Sequence, residues 1–325
     1  YVKNEKFHFL ALIFFILNPV FLYWSIRTMA DIPFAFFALL DFYILKKLPD
    51  TDLKKDVLLG LICGLAILTR FEGYLLTASV LIGVAFSGKK DELFKKKFSS
   101  SLKSIVLLIF QNWKKILILG LTTLLTISPW IIYRNPLKSS YFGEPSDRAY
   151  DFKMVWTYYA SILYLFGFTS AFYFIFKKLR TASSFLKENV GITTFIVLEL
   201  FLILLWPAAI PRLFVCLIPF FIIILILCVQ DLIESKEKPG VLDIVLPVFL
   251  LLFYIGSQYF LKLQFLIPVK NIFALIVFLQ VFIMVFTYLK KYNFMKIAII
   301  SSMMLWSLSI IFMHKDIYTA IKQAG

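Results

Sequence analysis

The chain has 325 residues, of which 61% are hydrophobic, and this share excludes an ordinary soluble domain. Its net charge is +15, but the lysines flank apolar runs and do not alternate with aromatic residues on a polar face, which argues against nucleic acid as a partner. Three cysteines and two histidines lack disulfide or metal-ligand spacing. The composition predicts an all-α, polytopic membrane protein.

Apolar runs that suit membrane helices recur along the chain, although several are shorter than the roughly 20 residues of a usual span. We expect about 11 transmembrane helices in a single domain, 1–325, without internal repeats. Runs 57–69 and 73–88 are either two short tilted helices or one re-entrant hairpin. The predicted runs are 7–23, 32–46, 57–69, 73–88, 116–132, 155–176, 190–206, 213–229, 241–261, 270–289 and 294–313.

The distribution of basic residues predicts the orientation. With the N-terminus in the cytosol, the cytosolic segments hold 23 of the 34 Lys and Arg residues and every adjacent Lys-Lys pair. In the cytosolic segment 87–115, a short apolar stretch with basic flanks is interpreted as a helix on the membrane surface. An additional span there is the alternative, and it would invert the later topology. We expect a multi-pass protein of the cell membrane.

This orientation gathers ionisable residues other than lysine on the outer side. Such residues are rare at the ends of spans, where they usually face a cavity or a partner. The outer segment 133–154 is rich in Pro, Gly, Ser and Tyr, so it is predicted to be a loop, and loops on rigid scaffolds often carry function. The outer residues are Arg27, Asp31, Arg70, Glu72, Arg134, Glu144, Asp147, Arg148, Asp151 and Arg212.

Two alternatives stay open for each charged residue at a span end. Asp31 is either a helix N-cap or a carboxylate that acts as a general base. Arg70 and Glu72 are too close in sequence to face each other on one helix, and Gly73 indicates a turn after them. They form either an ion pair that caps two short helices or an anion site, in which the guanidinium fork of Arg70 binds a phosphate.

Three further residues have two interpretations each. Arg212 is either an arginine whose head reaches the interface or a second phosphate contact. Asp41 and Glu199 lie within apolar runs. Each is either part of an ion path or a partner in a hydrogen bond between helices.

Four stretches resemble, in the same order, blocks of the GT-C superfamily of membrane glycosyltransferases. The most similar branch contains the protein O-mannosyltransferases and the bacterial aminoarabinose transferases. The resemblance covers about residues 7–230, and 231–325 match only as generic membrane helices. The stretches are "NPVFLYWSIRTMADIPFAFFALLDFYILKK", "LLGLICGLAILTRFEGYLL", "TISPWIIYRNPL" and "PRLFVCLIPFFIIIL".

The resemblance implies transfer of a sugar, with inversion, from a polyprenyl or dolichyl phosphate to a protein, lipid or glycan acceptor on the outer face. Asp31 and Glu72 are the candidate catalytic residues. Candidate contacts to the donor phosphate are Arg70, Arg212 and Arg134. Acceptor or metal contacts are expected among the loop residues Glu144, Asp147 and Asp151. A divalent cation is an open cofactor candidate, with no metal ligands assigned.

One departure from the family concerns the start of the chain. The principal catalytic acid of the family lies in its first large outer loop, whereas this chain begins at what resembles the third span. We expect that an N-terminal part is missing. Two other functions remain alternatives: a multispan transporter or lipid flippase, suggested by the many spans with Asp41 and Glu199, and a non-catalytic scaffold of the same fold.

Overall fold

A computed structural model describes residues 5–16, 30–50, 52–86, 110–134, 174–205 and 211–235, together with isolated positions from 18 to 282. Its regular structure in these ranges is helical without strands, which confirms the all-α part of the predicted fold class. The helices are α1 (Glu5–Ile16), α2 (Asp31–Lys47), α3 (Leu53–Thr69), α4 (Gly73–Ala85), α5 (Trp113–Arg134), α6 (Leu179–Glu188), α7 (Val190–Leu205) and α8 (Ile218–Ser235), with a 3-10 helix at Pro211–Phe214.

The chain divides into two compact units. The first unit contains Tyr1–Met29, Ala149–Ser183 and Trp206–Gly325, and the second contains Ala30–Arg148 and Ser184–Leu205. Helices α2, α3, α4, α5 and α7 belong to the second unit, which therefore holds most of the candidate site residues that the structure describes.

Some helices are long and apolar enough to cross a membrane. Within the described ranges these are Trp113–Tyr133 and Ile218–Ser235, with a third if α6 and α7 form one bent span. Membrane association is therefore supported, while the total of about 11 spans stays a prediction. The predicted runs 241–261, 270–289 and 294–313 lie outside the described residues, apart from isolated positions.

Helix α5 matches the predicted run 116–132 and extends it at both ends. Trp113 and the two lysines after it form the first turn of α5. For these residues the prediction of a separate helix on the membrane surface is therefore wrong. Residues 87–109 of that stretch lie outside the described part. Helix α5 exposes large apolar side chains, as a lipid-facing helix does. They include Leu121, Leu124, Leu125 and Ile132.

Two short turns link α2, α3 and α4. Asp52 is the N-cap of α3 and accepts a hydrogen bond from the Lys54 backbone N–H at 2.9 Å. Between α3 and α4 the chain turns over residues 70–72, as the sequence predicted. A Cβ on Gly73 would lie 2.4 Å from the Ile67 backbone nitrogen, so the tight turn requires glycine here. The chain therefore forms two helices here, Leu53–Thr69 and Gly73–Ala85, that pack against each other, an arrangement that fits both predicted alternatives, two short tilted helices and a re-entrant hairpin.

The opposite ends of α2 and α3 carry different charges. The start of α2 meets the end of α3 through Asp31 and Arg70. The lysines Lys46, Lys47 and Lys54 lie at the other end of this helix pair. The pair is therefore antiparallel, with its lysines at one end and an acid–arginine contact at the other.

Helix α7 packs against α4 and also reaches α2. The ring of Phe195 lies 6.3 Å from the Phe34 ring and 5.9 Å from the Phe42 ring, centroid to centroid. Residues four apart share a helix face, so Glu199 lies on the same side of α7 as Phe195. The apolar contacts of Phe195 thus direct a carboxylate into the second unit.

The first unit contains its own contact between two distant segments. Helix α8 packs against α1. Lys178 lies 3.5 Å from the Asp231 carboxylate and donates to the Ser235 hydroxyl at 3.1 Å. These contacts join the segments 177–189 and 230–240, which the sequence predicted on the same side of the membrane.

Small residues let α3 and α5 approach closely. A Cβ added to Gly60 would lie 2.6 Å from the Leu119 carbonyl oxygen, and one added to Gly64 would lie 2.5 Å from Thr126 Cβ. Thr123 donates its hydroxyl to the Gly60 carbonyl at 3.1 Å. This arrangement, glycines four residues apart facing threonines, is typical of close helix pairs in membranes.

Gly60→Ala is expected to lower the free energy of unfolding by about 1–3 kcal/mol, because its methyl group meets a backbone oxygen that cannot rotate away. Thermal unfolding in detergent, followed by tryptophan fluorescence, measures the change. Gly120→Ala on α5 is the matched control, since no described residue lies within 4 Å of its added Cβ. Equal stability of the two variants would contradict the close α3–α5 contact.

Candidate functional site

Three helix ends meet at an arginine. Asp31 is the first residue of α2, Arg70 is the C-cap of α3 and Glu72 is the N-cap of α4. Arg70 donates through Nε to Glu72 Oε2 at 3.0 Å, and its two terminal nitrogens contact Glu72 Oε1 and Asp31 Oδ1. The predicted ion pair is present, and it also includes a carboxylate 39 residues away in sequence. We call Asp31, Arg70 and Glu72 the acid–arginine cluster.

The interpretation of Asp31 as an N-cap is wrong. The N-cap of α2 is Ala30, and no side chain makes a capping hydrogen bond there. An N-cap residue has non-helical backbone angles and bonds the free N–H groups of the first turn, whereas Asp31 lies inside the helix and contacts Arg70. The charged donors of an arginine fork bind a carboxylate more strongly than the neutral N–H donors of a helix end do.

The cluster is largely withdrawn from solvent. The exposed fractions of the side chains are 14% for Arg70, 5% for Asp31 and 13% for Glu72. Ion pairs at this depth differ from surface pairs, because removing one partner leaves a charge that water does not stabilise. Arg70 is therefore required to stabilise the two carboxylates when they are ionised.

Glu199 lies on α7, which packs against α4, and its side chain is 1% exposed. Its Oε1 accepts no hydrogen bond from any residue that the structure describes. The sequence identified Glu199 only as an isolated acid in an apolar run, because nothing along α7 indicates which residues of α3 and α4 it approaches.

Asp41 lies in the middle of α2 and is fully buried. Cys63 of α3 lies with its Sγ 3.4 Å from Asp41 Oδ2, so the predicted alternative of a hydrogen bond between helices holds for this residue. A thiol is a weak donor, and Asp41 Oδ1 has no partner among the described residues. Sequence reasoning missed Cys63 as a partner, since the two residues share no motif.

The side chains of the other predicted site residues are not among those that the structure describes. Arg134 ends α5 and Arg212 lies in the 3-10 helix, and the structure does not describe their side chains. The loop residues Glu144, Asp147 and Asp151 lie outside the described ranges. In the part of the chain that is described, no group of three or more His, Cys, Asp or Glu residues could hold a metal ion.

The chain matches no known protein family, no curated protein and no solved structure.

Arg70→Met is expected to lower the free energy of unfolding by about 3–5 kcal/mol, because it leaves the carboxylates of Asp31 and Glu72 without their cation. Combining it with Asp31→Asn should recover part of that loss, since one buried charge is then removed. Unfolding in detergent at neutral pH measures both variants. The control is Lys54→Met on the exposed start of α3, with an expected change within about 0.5 kcal/mol. Equal effects of Arg70→Met and Lys54→Met would contradict the buried ion pair.

Proposed function

We propose that the protein is a glycosyltransferase of the membrane, which moves a sugar from a polyprenyl or dolichyl phosphate to an acceptor on the outer face. Its proposed setting is a cell membrane that the chain crosses many times, with the N-terminus of this chain in the cytosol. The observation that carries the proposal is the acid–arginine cluster, which gathers Asp31, Arg70 and Glu72 from two sequence blocks that resemble GT-C motifs. The order of all four blocks adds to it.

The chemistry of this transfer suits a carboxylate held by a guanidinium. A carboxylate within reach of the acceptor hydroxyl takes its proton as the new glycosidic bond forms. We assign this role to Asp31, with Glu72 beside it. Arg70 fixes the direction of both carboxylates, because its planar fork contacts one on each side.

The leaving group is a lipid phosphate, whose negative charge rises as the bond to the sugar breaks. Fixed arginines in a largely dry site stabilise such charge. In this proposal Arg134 and Arg212 contact the donor phosphate. Arg70 joins them only if phosphate shares its guanidinium with Asp31 and Glu72, since both carboxylates already contact it.

Release of lipid phosphate tests the function. The purified protein in liposomes receives a labelled polyprenyl-phosphate sugar, and the free lipid phosphate is counted over time. Asp31→Asn is expected to lower the turnover rate by about 100-fold or more, as loss of a general base does. Glu188→Gln is the control with unchanged rate, because Glu188 is exposed and bonds only the nearby Ser184 hydroxyl in the described structure.

Two results would reject parts of this proposal. A correctly folded wild-type protein that releases no lipid phosphate from polyprenyl or dolichyl donors would exclude the glycosyltransferase. Full activity of both Asp31→Asn and Glu72→Gln would instead leave the enzyme standing and exclude the acid–arginine cluster as its site.

Asp41 favours a second candidate function, a transporter. A fully buried carboxyl with one oxygen that has no partner among the described residues is typical of ion paths in membranes. In this function Asp41 exchanges a proton or another cation in the course of transport.

Proton flux separates the two functions. Liposomes that enclose a pH-sensitive dye report proton entry under a potassium diffusion potential. A transporter should show flux in the wild type and lose it in Asp41→Asn, because the asparagine cannot carry the charge. A glycosyltransferase should show neither effect, and wild-type vesicles no leakier than empty ones would exclude the proton-coupled transporter.

A further inference from the structure

Helices of the second unit share one end, which lies opposite the acid–arginine cluster. A Cβ added to Gly83, near the end of α4, would lie 2.6 Å from Leu45 Cδ2 near the end of α2 and 3.5 Å from Gly191 Cα at the start of α7. Asn112, just before α5, donates its side-chain amide to the Ala85 carbonyl at 3.1 Å. This end therefore gathers the last turns of α2 and α4 and the first turns of α5 and α7.

Helix α3 begins at the same end, beside α5. The two helices are parallel, because Gly60 faces Thr122 on α5 and the next glycine of α3 faces the threonine four residues further along α5. This register places Lys54 in the first turn of α3 at nearly the level of Lys114 in the first turn of α5, about 3 Å apart along the helix axes.

Positive charge dominates this end of the unit. Residues 46–56 and 114–115 hold six lysines and three acids, so their net charge is +3. Lys55 is buried, and its Nζ lies 2.6 Å from Asp50 Oδ1, so one acid is already paired below the surface. The lysines that remain exposed come from three helices, and we call them the lysine surface: Lys46, Lys47, Lys54 and Lys114.

The outer face of α5 passes from charged to aromatic to aliphatic groups. Trp113 is exposed, and its ring centroid lies 5.9 Å from Lys114 Nζ. Leu117 and Leu121 follow on the side of Trp113 at intervals of four residues and are also exposed. Tryptophan is enriched at the level of lipid headgroups. The order of groups along this face is that of a phospholipid, which passes from its phosphate to its acyl chains.

An anionic phospholipid suits this surface better than a soluble partner. A lysine near a membrane surface attracts anionic lipids, whereas a headgroup without net charge offers it much less. A soluble protein that bound the lysines alone would leave Leu117 and Leu121 uncovered, although they continue the same face. Acyl chains cover such side chains without requiring hydrogen bonds from them.

We propose that the lysine surface binds anionic phospholipids of the membrane. Their phosphodiester groups contact the exposed lysines at the ends of α2, α3 and α5, and their acyl chains lie along the face of α5 that starts at Trp113. The sequence predicts these lysines on the cytosolic side, where anionic lipids are concentrated. This inference is independent of the proposed glycosyltransferase, because it involves neither its donor nor its acceptor.

Quenching of tryptophan fluorescence by brominated lipids tests the proposal on the full chain. One series of phosphatidylcholine vesicles receives increasing amounts of brominated phosphatidylglycerol, and a second series receives brominated phosphatidylcholine. The wild type is expected to prefer phosphatidylglycerol by about 5-fold or more, which is the effect of a single lysine near an anionic surface. Equal quenching in the two series would overturn the proposal, and this outcome depends on no substitution.

A triple variant tests the named lysines. Lys47→Gln, Lys54→Gln and Lys114→Gln together remove one exposed charge from each of three helices, and the preference for phosphatidylglycerol is expected to fall below about 2-fold. The matched control changes the same three residues to arginine, which keeps the charge and should keep the preference. A glutamine variant that folds and retains the wild-type preference would reject the lysine surface as the lipid site.

Two further measurements locate the lipid and identify its class. Trp113→Phe should lose most of the additional quenching by brominated phosphatidylglycerol, and an unchanged excess would contradict the position of the lipid on α5. Inorganic phosphate at constant ionic strength should leave the preference unchanged. If it abolishes the preference, the lysines form a site for small anions and the proposal fails. If the preference is present but lipid phosphate release is absent, the proposed function fails and the lipid surface stands.

Discussion

The second unit depends on the balance of charge around Arg70. Three apolar helices end at this residue, and each end brings a polar group that lipid does not stabilise. Arg70 contacts the carboxylates of Asp31 and Glu72 at once, so a single guanidinium serves both. Without it, two largely buried carboxylates would lie close together, and their repulsion would disfavour the approach of the start of α2 to the start of α4.

The apolar packing of the unit also buries further charge. Gly60 and Gly64 allow α5 to approach α3, and Phe195 of α7 packs against two rings of α2. The same face of α7 carries Glu199, which nothing among the described residues balances by direct contact. Good apolar packing thus holds an acid in a place that electrostatics alone would not favour. Such a conflict between stability and local chemistry is typical of functional sites in membranes.

Both candidate functions depend on a buried carboxyl group, but each depends on a different one. A glycosyltransferase needs a carboxylate that can take a proton from the acceptor, and the acid–arginine cluster holds two carboxylates at the helix ends. A transporter needs buried carboxyl groups that can change their charge, and Asp41 is a fully buried carboxyl group. The two sites lie ten residues apart on α2, or about 15 Å along the helix, so substitutions at one can be distinguished from those at the other.

Composition and local sequence were enough to predict the helical class, the apolar character and the turn at residues 70–72, and they left the Arg70–Glu72 ion pair as one of two alternatives. These features depend on composition and on residues close along the chain, which local physical rules describe. The contact of Asp31 with Arg70 and that of Cys63 with Asp41 became visible only in the tertiary structure. Each of these contacts joins different helices, and its geometry depends on how those helices rotate and pack. No periodic pattern within one segment contains that information.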